Sequence, residues 1–114
     1  MLSRSSRLQK EKDIERVYKK GKGFKEDFLV LKTAKNHLNN SRFTFIVSQK
    51  VSKKATVRNK VKRRLRESVK KYEETIAPGF DSLVIARPGA EKESFQNLGE
   101  SLAGLLKKAK LIKE

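Results

Sequence analysis

Apolar residues recur along this chain in two periods, and the switches between them mark out its elements. Over residues 10–20, Ile14, Val17 and Tyr18 fall on one side of a helical wheel before Gly21, which predicts a short amphipathic helix stopped by the glycine. Residues 28–34 form an apolar run of strand character, and the polar stretch 36–41 that follows reads as the turn of a hairpin. In residues 42–48 the pattern alternates. Phe43, Phe45 and Val47 share one face and predict a core contact, while Thr44, Ile46 and Ser48 share a mixed face suited to a surface that something else covers.

The longest helical period follows. Val57, Val61, Leu65, Val69 and Tyr72 step by four, four, four and three, so residues 56–72 form a helix with one narrow apolar stripe. Pro78 and Gly79 signal a turn, and residues 82–86 a short buried strand closed by Pro88 and Gly89. A strand, a helix and a strand in that order predict a parallel pair joined by the helix. Residues 94–112 repeat Phe95, Leu98, Leu102, Leu105, Ala109 and Ile112 at helical spacing. Gly99 and Gly104 weaken this segment as a free-standing coiled coil, so a helix packed on the core is the better reading than a dimer seam.

Charge changes the picture most in the central helix. Between positions 50 and 71 stand Lys50, Lys53, Lys54, Arg58, Lys60, Lys62, Arg63, Arg64, Arg66, Lys70 and Lys71, with Glu67 as the one acid. Solvated helices usually mix signs so that residues four apart attract. Here Arg58 stacks over Lys62, Lys62 over Arg66, Arg66 over Lys70 and Lys60 over Arg64. Four such pairs cost roughly 1–2 kcal/mol of helix stability. A polyanion would relieve that repulsion on binding.

The whole chain of 114 residues carries a formal charge of +16 and a pI near 10.3, which points the same way. Its length suits one domain over residues 1–114 with one modest core, with residues 1–9 as a flexible basic arm. The absence of cysteine excludes disulfides, thiolate chemistry and Cys-ligated zinc. No apolar run approaches the ~20 residues of a membrane span, and residues 1–10 lack the apolar centre of a signal peptide, so a cytoplasmic setting without membrane partners is expected.

Candidate bond chemistry is sparse. Glu11, Asp13 and Glu15 sit among cations and read as helix pairs, with Lys19 as one partner, rather than a metal site. Gly21 and Gly23 lack the Gly-Lys-Ser/Thr continuation of a phosphate-cradling loop. His37 stands alone in a predicted loop. No nucleophile–base pair can be assembled, so binding is what the chain is equipped for. Arginine and lysine neutralise phosphates, Asn59 can donate to and accept from a base edge or 2′-hydroxyl, and Tyr18 could stack on an unpaired base.

Within the basic helix, Arg58-Asn59, then Lys62-Arg63, then Arg66-Glu67 resembles the signature of the protein subunit of bacterial ribonuclease P. The likeness extends to Arg7-Leu8, to Asp13-Ile14 with Val17-Tyr18 and Gly21, and to Phe80-Asp81 with Ile85-Ala86-Arg87. Lys60 stands where the family usually has arginine, which keeps the charge but loses the bidentate fork.

The resemblance implies an α+β fold: a small mixed sheet packed with helices, the basic helix lying in a left-handed crossover against the usual right-handed rule. It implies a protein that joins a catalytic RNA, one protein per RNA, which with Mg²⁺ removes the 5′ leader of precursor tRNA. Carried over residue by residue, contacts to the catalytic RNA would fall on Lys53, Lys54, Arg58, Asn59, Lys60, Lys62, Arg63 and Arg66. A cleft for the single-stranded leader would involve Ile14, Tyr18, Leu31, Ile46 and Ser48. The family often has aromatics at the places of Ile14 and Leu31, so leader binding would lean on Tyr18 and nearby cations.

A generic RNA-binding protein would explain the charge but not this spacing. A DNA-reading helix would need a helix-turn-helix partner where a strand is predicted. A membrane-surface helix would need a broader apolar face.

Overall fold

Alternation and helical period place the elements closely, while the sheet order depends on which strand is apolar on both sides. In the computed structural model, which describes residues 6–113, the order is α1 (Glu11–Lys20), β1 (Lys22–Glu26), β2 (Leu29–Lys35), β3 (Arg42–Ile46), α2 (Ala55–Lys70), β4 (Phe80–Ala86), a 3-10 turn (Ala90–Lys92) and α3 (Phe95–Lys108). The strands form one mixed sheet in the order β1-β2-β4-β3. β4 runs antiparallel to β2 and parallel to β3, so α2 joins a parallel pair as its flanking strands predict.

The expected hairpin between β2 and β3 does not form, because β4 lies between them. Leu83 is buried on one face of β4 and Val84 on the other, so this strand gains most from the centre of the sheet. The 36–41 loop instead spans the end of β4. The Asn36 side chain accepts from the Leu38 N–H at 2.7 Å and donates to the Asn40 carbonyl at 3.1 Å, and the Asn36 N–H donates to the Gly79 carbonyl.

β1 is an addition to the expected elements. Its sequence offers Phe24 alone as a large apolar residue, and its pairing follows from a tight turn at Asp27 and Phe28, where Asp27 takes a left-handed φ of 50°. Gly21 does end α1, but by close approach rather than by a left-handed turn. Its φ is −70°, and a Cβ there would lie 2.4 Å from the Val17 carbonyl oxygen.

Two cores result. On one face of the sheet, Leu29, Leu31, Phe43 and Val84 pack against Val61, Leu65 and Val69 of α2 and Leu98, Leu102 and Leu105 of α3. The apolar stripes of both helices are thus spent inside the domain. On the other face α1 lays Val17 on Leu83, with Ile14, Ala34, Ile46 and Ile85 around them. The mixed face of β3 is therefore covered by α1.

Both chain ends depart from expectation. Residues 1–5 of the expected arm lie outside the described residues, but Leu8 is buried and its N–H donates to the Phe43 carbonyl at 2.8 Å, while Arg7 forms a parallel bridge to Phe43. The segment from Ser6 to Gln9 is thereby laid along the outer edge of β3, because Leu8 completes the smaller core. Helix α3 starts at a capped residue, Ser94 accepting the Asn97 N–H at 3.0 Å, and stops at Lys108 instead of reaching 112. The chain reverses at Lys110 (φ 60°), and Leu111 and Ile112 fold back into the main core.

Candidate nucleic-acid interface

Since Val61, Leu65 and Val69 anchor α2 to the sheet, its charged residues are distributed around the remaining surface. Lys62 and Arg66 lean towards the outer edge of β3, half-buried. Arg64 leans the opposite way and donates to the Glu93 carbonyl at 3.1 Å, and Lys71 lies over the Phe95 ring at 5.2 Å. Asn59, Lys60 and Arg63 are exposed, as are Lys53 and Lys54 in the segment that leads into the helix. The ion pairs between described residues are Arg16–Asp81, Lys19–Glu15, Arg42–Asp13, Arg42–Asp81 and Lys108–Glu26, and none involves α2.

Arg58 has a structural task besides its charge. Its guanidinium donates to the carbonyls of Ser52 and Lys53 at 3.0 and 2.9 Å, which ties the entry segment to the first turn of α2. The helix has no side-chain cap at Lys54, so this tether, with the Ser52 hydroxyl accepting the Lys54 N–H, shapes its start.

The residues expected in the leader cleft lie where α1 packs on the sheet, and beyond it. Ile14 and Ile46 come together there, half-buried around Leu83. Tyr18 is 56% exposed at the end of α1. Ser48 lies beyond β3, exposed, its hydroxyl accepting the Lys50 N–H at 3.2 Å. Leu31 must be removed from the expected cleft: it is fully buried in the main core, on the opposite face of the sheet from α1. One step along a strand reverses the face, so the α1 side of β2 carries Val30, Lys32 and Ala34 instead. Lys32 is the functional candidate that sequence reasoning missed. Its ammonium donates to the Tyr18 carbonyl at 3.0 Å and sits 4.2 Å from the Tyr18 ring centroid. The alternation of β2 was the signal that could have found it.

A buried cluster sets where α1 lies. Asp81 on β4 is fully buried and accepts from Arg42 Nε and Nη2 at 2.8 and 2.7 Å, Arg16 Nη2 at 2.7 Å and Asn36 Nδ2 at 2.8 Å. Arg16 also donates to the Lys35 carbonyl, and Arg42 reaches Asp13 at 3.4 Å. Burial alone would push the Asp81 carboxyl up, but the hydrogen bonds from Arg42 and Asn36 and the charges of Arg42 and Arg16 outweigh it and hold it below the ordinary 3.8. The same hydrogen bond to Asp81 raises Arg42, against its own desolvation. Of the early acids, Glu15 pairs with Lys19 as expected, whereas Asp13 serves Arg42.

Among the described residues no group of three or more His, Cys, Asp or Glu is arranged to hold a metal ion, and the oxygens of Asp81 are taken by its arginines and Asn36. No helix of the described residues is long and apolar enough to cross a membrane.

A helix whose cations make no ion pair among the described residues, with an exposed aromatic–cation pair at the end of α1, defines a class: a small α+β protein with a strongly basic helix face. The comparisons with known proteins narrow that class. The family model "Ribonuclease P" matches residues 2–110. The chain is 33% identical over 112 residues to the ribonuclease P protein component of Syntrophomonas wolfei, covering 98% of this chain and 93% of that one. It is 36% identical over 107 residues to that of Clostridioides difficile, covering 93% of each. The structure of the Staphylococcus aureus RNase P protein superimposes with a TM-score of 0.87 at 34% identity over 95% of this chain and 98% of the other. That of Thermotoga maritima gives 0.81 at 34%, over 90% and 96%. The chain belongs to the ribonuclease P protein family, the protein subunits that assist tRNA 5′ processing.

Proposed function

We propose that this chain binds the catalytic RNA of ribonuclease P through α2 and its entry segment, and steadies the leader of precursor tRNA in the groove between α1 and the sheet. The observation that carries this reading is the edge of α2, where Lys62 and Arg66 stand among like charges with no carboxylate partner among the described residues. Lys53, Lys54, Asn59, Lys60 and Arg63 extend the same surface, and Arg58 holds its entry in shape. Phosphate contacts of this kind position an RNA without reading its sequence.

In the groove, Tyr18 offers an exposed ring to an unpaired base, and Lys32 beside it offers a cation to the adjoining phosphate. Ile14 and Ile46, half-buried around Leu83, and Ser48, exposed beyond β3, complete the proposed leader surface. The bond chemistry belongs in this reading to the RNA and its Mg²⁺. The protein's part in this reading is binding and positioning, one copy per RNA.

Cleavage of precursor tRNA by the catalytic RNA at low Mg²⁺, with and without the protein, tests the reading. Rescue by the wild type and not by Lys62→Gln/Arg66→Gln is the expected result. Broad RNA binding without rescue would reduce the chain to a generic RNA binder. Tyr18→Ala should weaken binding of precursor, but not of leaderless tRNA, by about 1–3 kcal/mol at fixed salt. Equal loss for both substrates would remove Tyr18 from the leader site.

A further inference from the structure

Helix α3 ends in a turn that holds a lysine where the backbone suits glycine. The Leu111 N–H donates to the Leu106 carbonyl at 2.9 Å and the Lys110 N–H to the Lys107 carbonyl at 3.0 Å, the paired bonds of a Schellman motif, and Leu106 and Leu111 are both buried. The motif needs one left-handed residue, and Lys110 supplies it with a φ of 60°. A Cβ in that conformation crowds the following carbonyl, which is why glycine is the usual occupant. We propose that Lys110, with Lys107 and Lys113, forms a second surface for the phosphodiester backbone of the catalytic RNA, separate from the basic helix.

The chain beyond α3 folds back against the segment that follows α2, and a concavity of about 670 Å³ lies between them. Thr75 lines one side, Lys107, Lys110 and Lys113 the other, with Ile112 at its base. A second hollow of about 570 Å³ shares Lys107 and Lys113 with it and adds Tyr72. No carboxylate of the described residues lines either one. Lys108 is spent within the fold, paired with Glu26 at 2.7 Å. Lys107, Lys110 and Lys113 are exposed and form no ion pair with a described residue. The dipole of α3 accounts for Lys107 and Lys108 in its last turn, but Lys110 and Lys113 stand beyond its end. A cation held in an unfavourable backbone conformation, with nothing in the fold to pair it, points to a partner outside the fold.

Chemistry and position select that partner. Lysine ammonium groups are point charges without the fixed fork of arginine, so three of them around a shallow hollow suit a phosphate backbone better than base edges. Helices α2 and α3 pack on one face of the sheet and α1 on the other. An RNA that follows α2 to its carboxyl end therefore reaches Tyr72 and the lysines, whereas the proposed leader surface lies across the sheet. The inference rests on the reading of α2 as a surface for the catalytic RNA.

Affinity for the catalytic RNA alone, measured against salt concentration, tests the proposal. Neutralising one phosphate contact flattens the log–log salt slope by about one. Lys110→Gly removes a charge at a position that glycine suits, so this variant keeps its turn and should withstand urea at least as well as the wild type. It should flatten the slope by about one and Lys107→Gln/Lys113→Gln by about two, each with binding weakened several-fold or more. Lys12→Gln, which removes one exposed charge from α1 on the other face of the sheet, is the control for charge alone and should leave the slope in place. If Lys110→Gly and the double variant both behave as Lys12→Gln while Lys62→Gln/Arg66→Gln still flattens the slope, the surface is overturned and the helix reading stands. If none of these variants flattens it, both fall. A polyglutamate peptide that loses affinity with Lys110→Gly, while the slope for RNA stays unchanged, would assign the surface to an acidic protein and overturn the proposal as well.

Discussion

Around Asp81 and along α2 the same residue types are used in opposite ways. At Asp81, two arginines, an asparagine and one buried carboxylate meet at hydrogen-bonding distance, with charges of opposite sign paired. Along α2, Arg58, Lys62, Arg66 and Lys70 stack one above another with no ion pair between described residues to relieve them. The first cluster connects α1, the 36–41 loop, β3 and β4, and so fixes where α1 lies on the sheet. The second destabilises its own helix. Charge that is matched inside the molecule serves the fold, and under the proposed function the charge along α2 serves the RNA. A net +16 by itself could not distinguish the two uses.

The largest effect expected from breaking this comparison is at the matched cluster. Asp81→Ala leaves Arg16 and Arg42 without the carboxylate that compensates their partial burial. Breaking a buried pair this way costs about 3–5 kcal/mol. Urea denaturation should show that loss, and a change below about 1 kcal/mol would mean that the cluster does not hold α1 in place.

Acid should act on the same group more gently. Because the folded-state value of Asp81 lies below the ordinary 3.8, its ionised form contributes stability that is complete above that value. The contribution is lost as the pH falls through 3.8 towards the folded-state value. Wild type should therefore lose stability in that window more steeply than Asp81→Asn, which starts lower at neutral pH. Parallel stability curves for the two proteins would show that Asp81 is not held ionised by its partners.

How much of this was legible in the sequence follows the same division between local and distant partners. The apolar stripe of α2 and the alternation of β3 are local patterns, and both elements sit where those patterns put them, with Val61, Leu65, Val69 and Phe43 buried. The Arg58-Asn59 to Arg66-Glu67 spacing also lies within a few turns of one helix, which is why it could be read at all. The place of β4 between β2 and β3 was not legible, because alternation tells a strand its faces and not its neighbours. β1 carries too little apolar pattern to be seen, and its pairing depends on the turn at Asp27. The misplacement of Leu31 came from transferring a cleft position by likeness without its strand phase, and the same step hid Lys32. Asp81 entered only as part of the family likeness, since the arginines that give it meaning stand 39 and 65 residues away.

The smallest expected effect sharpens the comparison most. Lys62 faces like charges four residues away on both sides, Arg58 and Arg66. Replacing it with glutamine, a comparable helix former, removes two repulsive pairs and should raise the stability of the free protein by roughly 0.4–1 kcal/mol at low salt. The gain should shrink as added salt screens the remaining charges. The same substitution should weaken RNA binding and flatten its salt slope by about one. Opposite signs in the two measurements are what distinguishes charge kept for a partner from charge kept for the fold, because at Asp81 both stability and groove geometry should worsen together. If Lys62→Gln lowered the stability of the free protein, the repulsion along α2 would already be balanced within the molecule, and the contrast between the two clusters would fail at its weaker member.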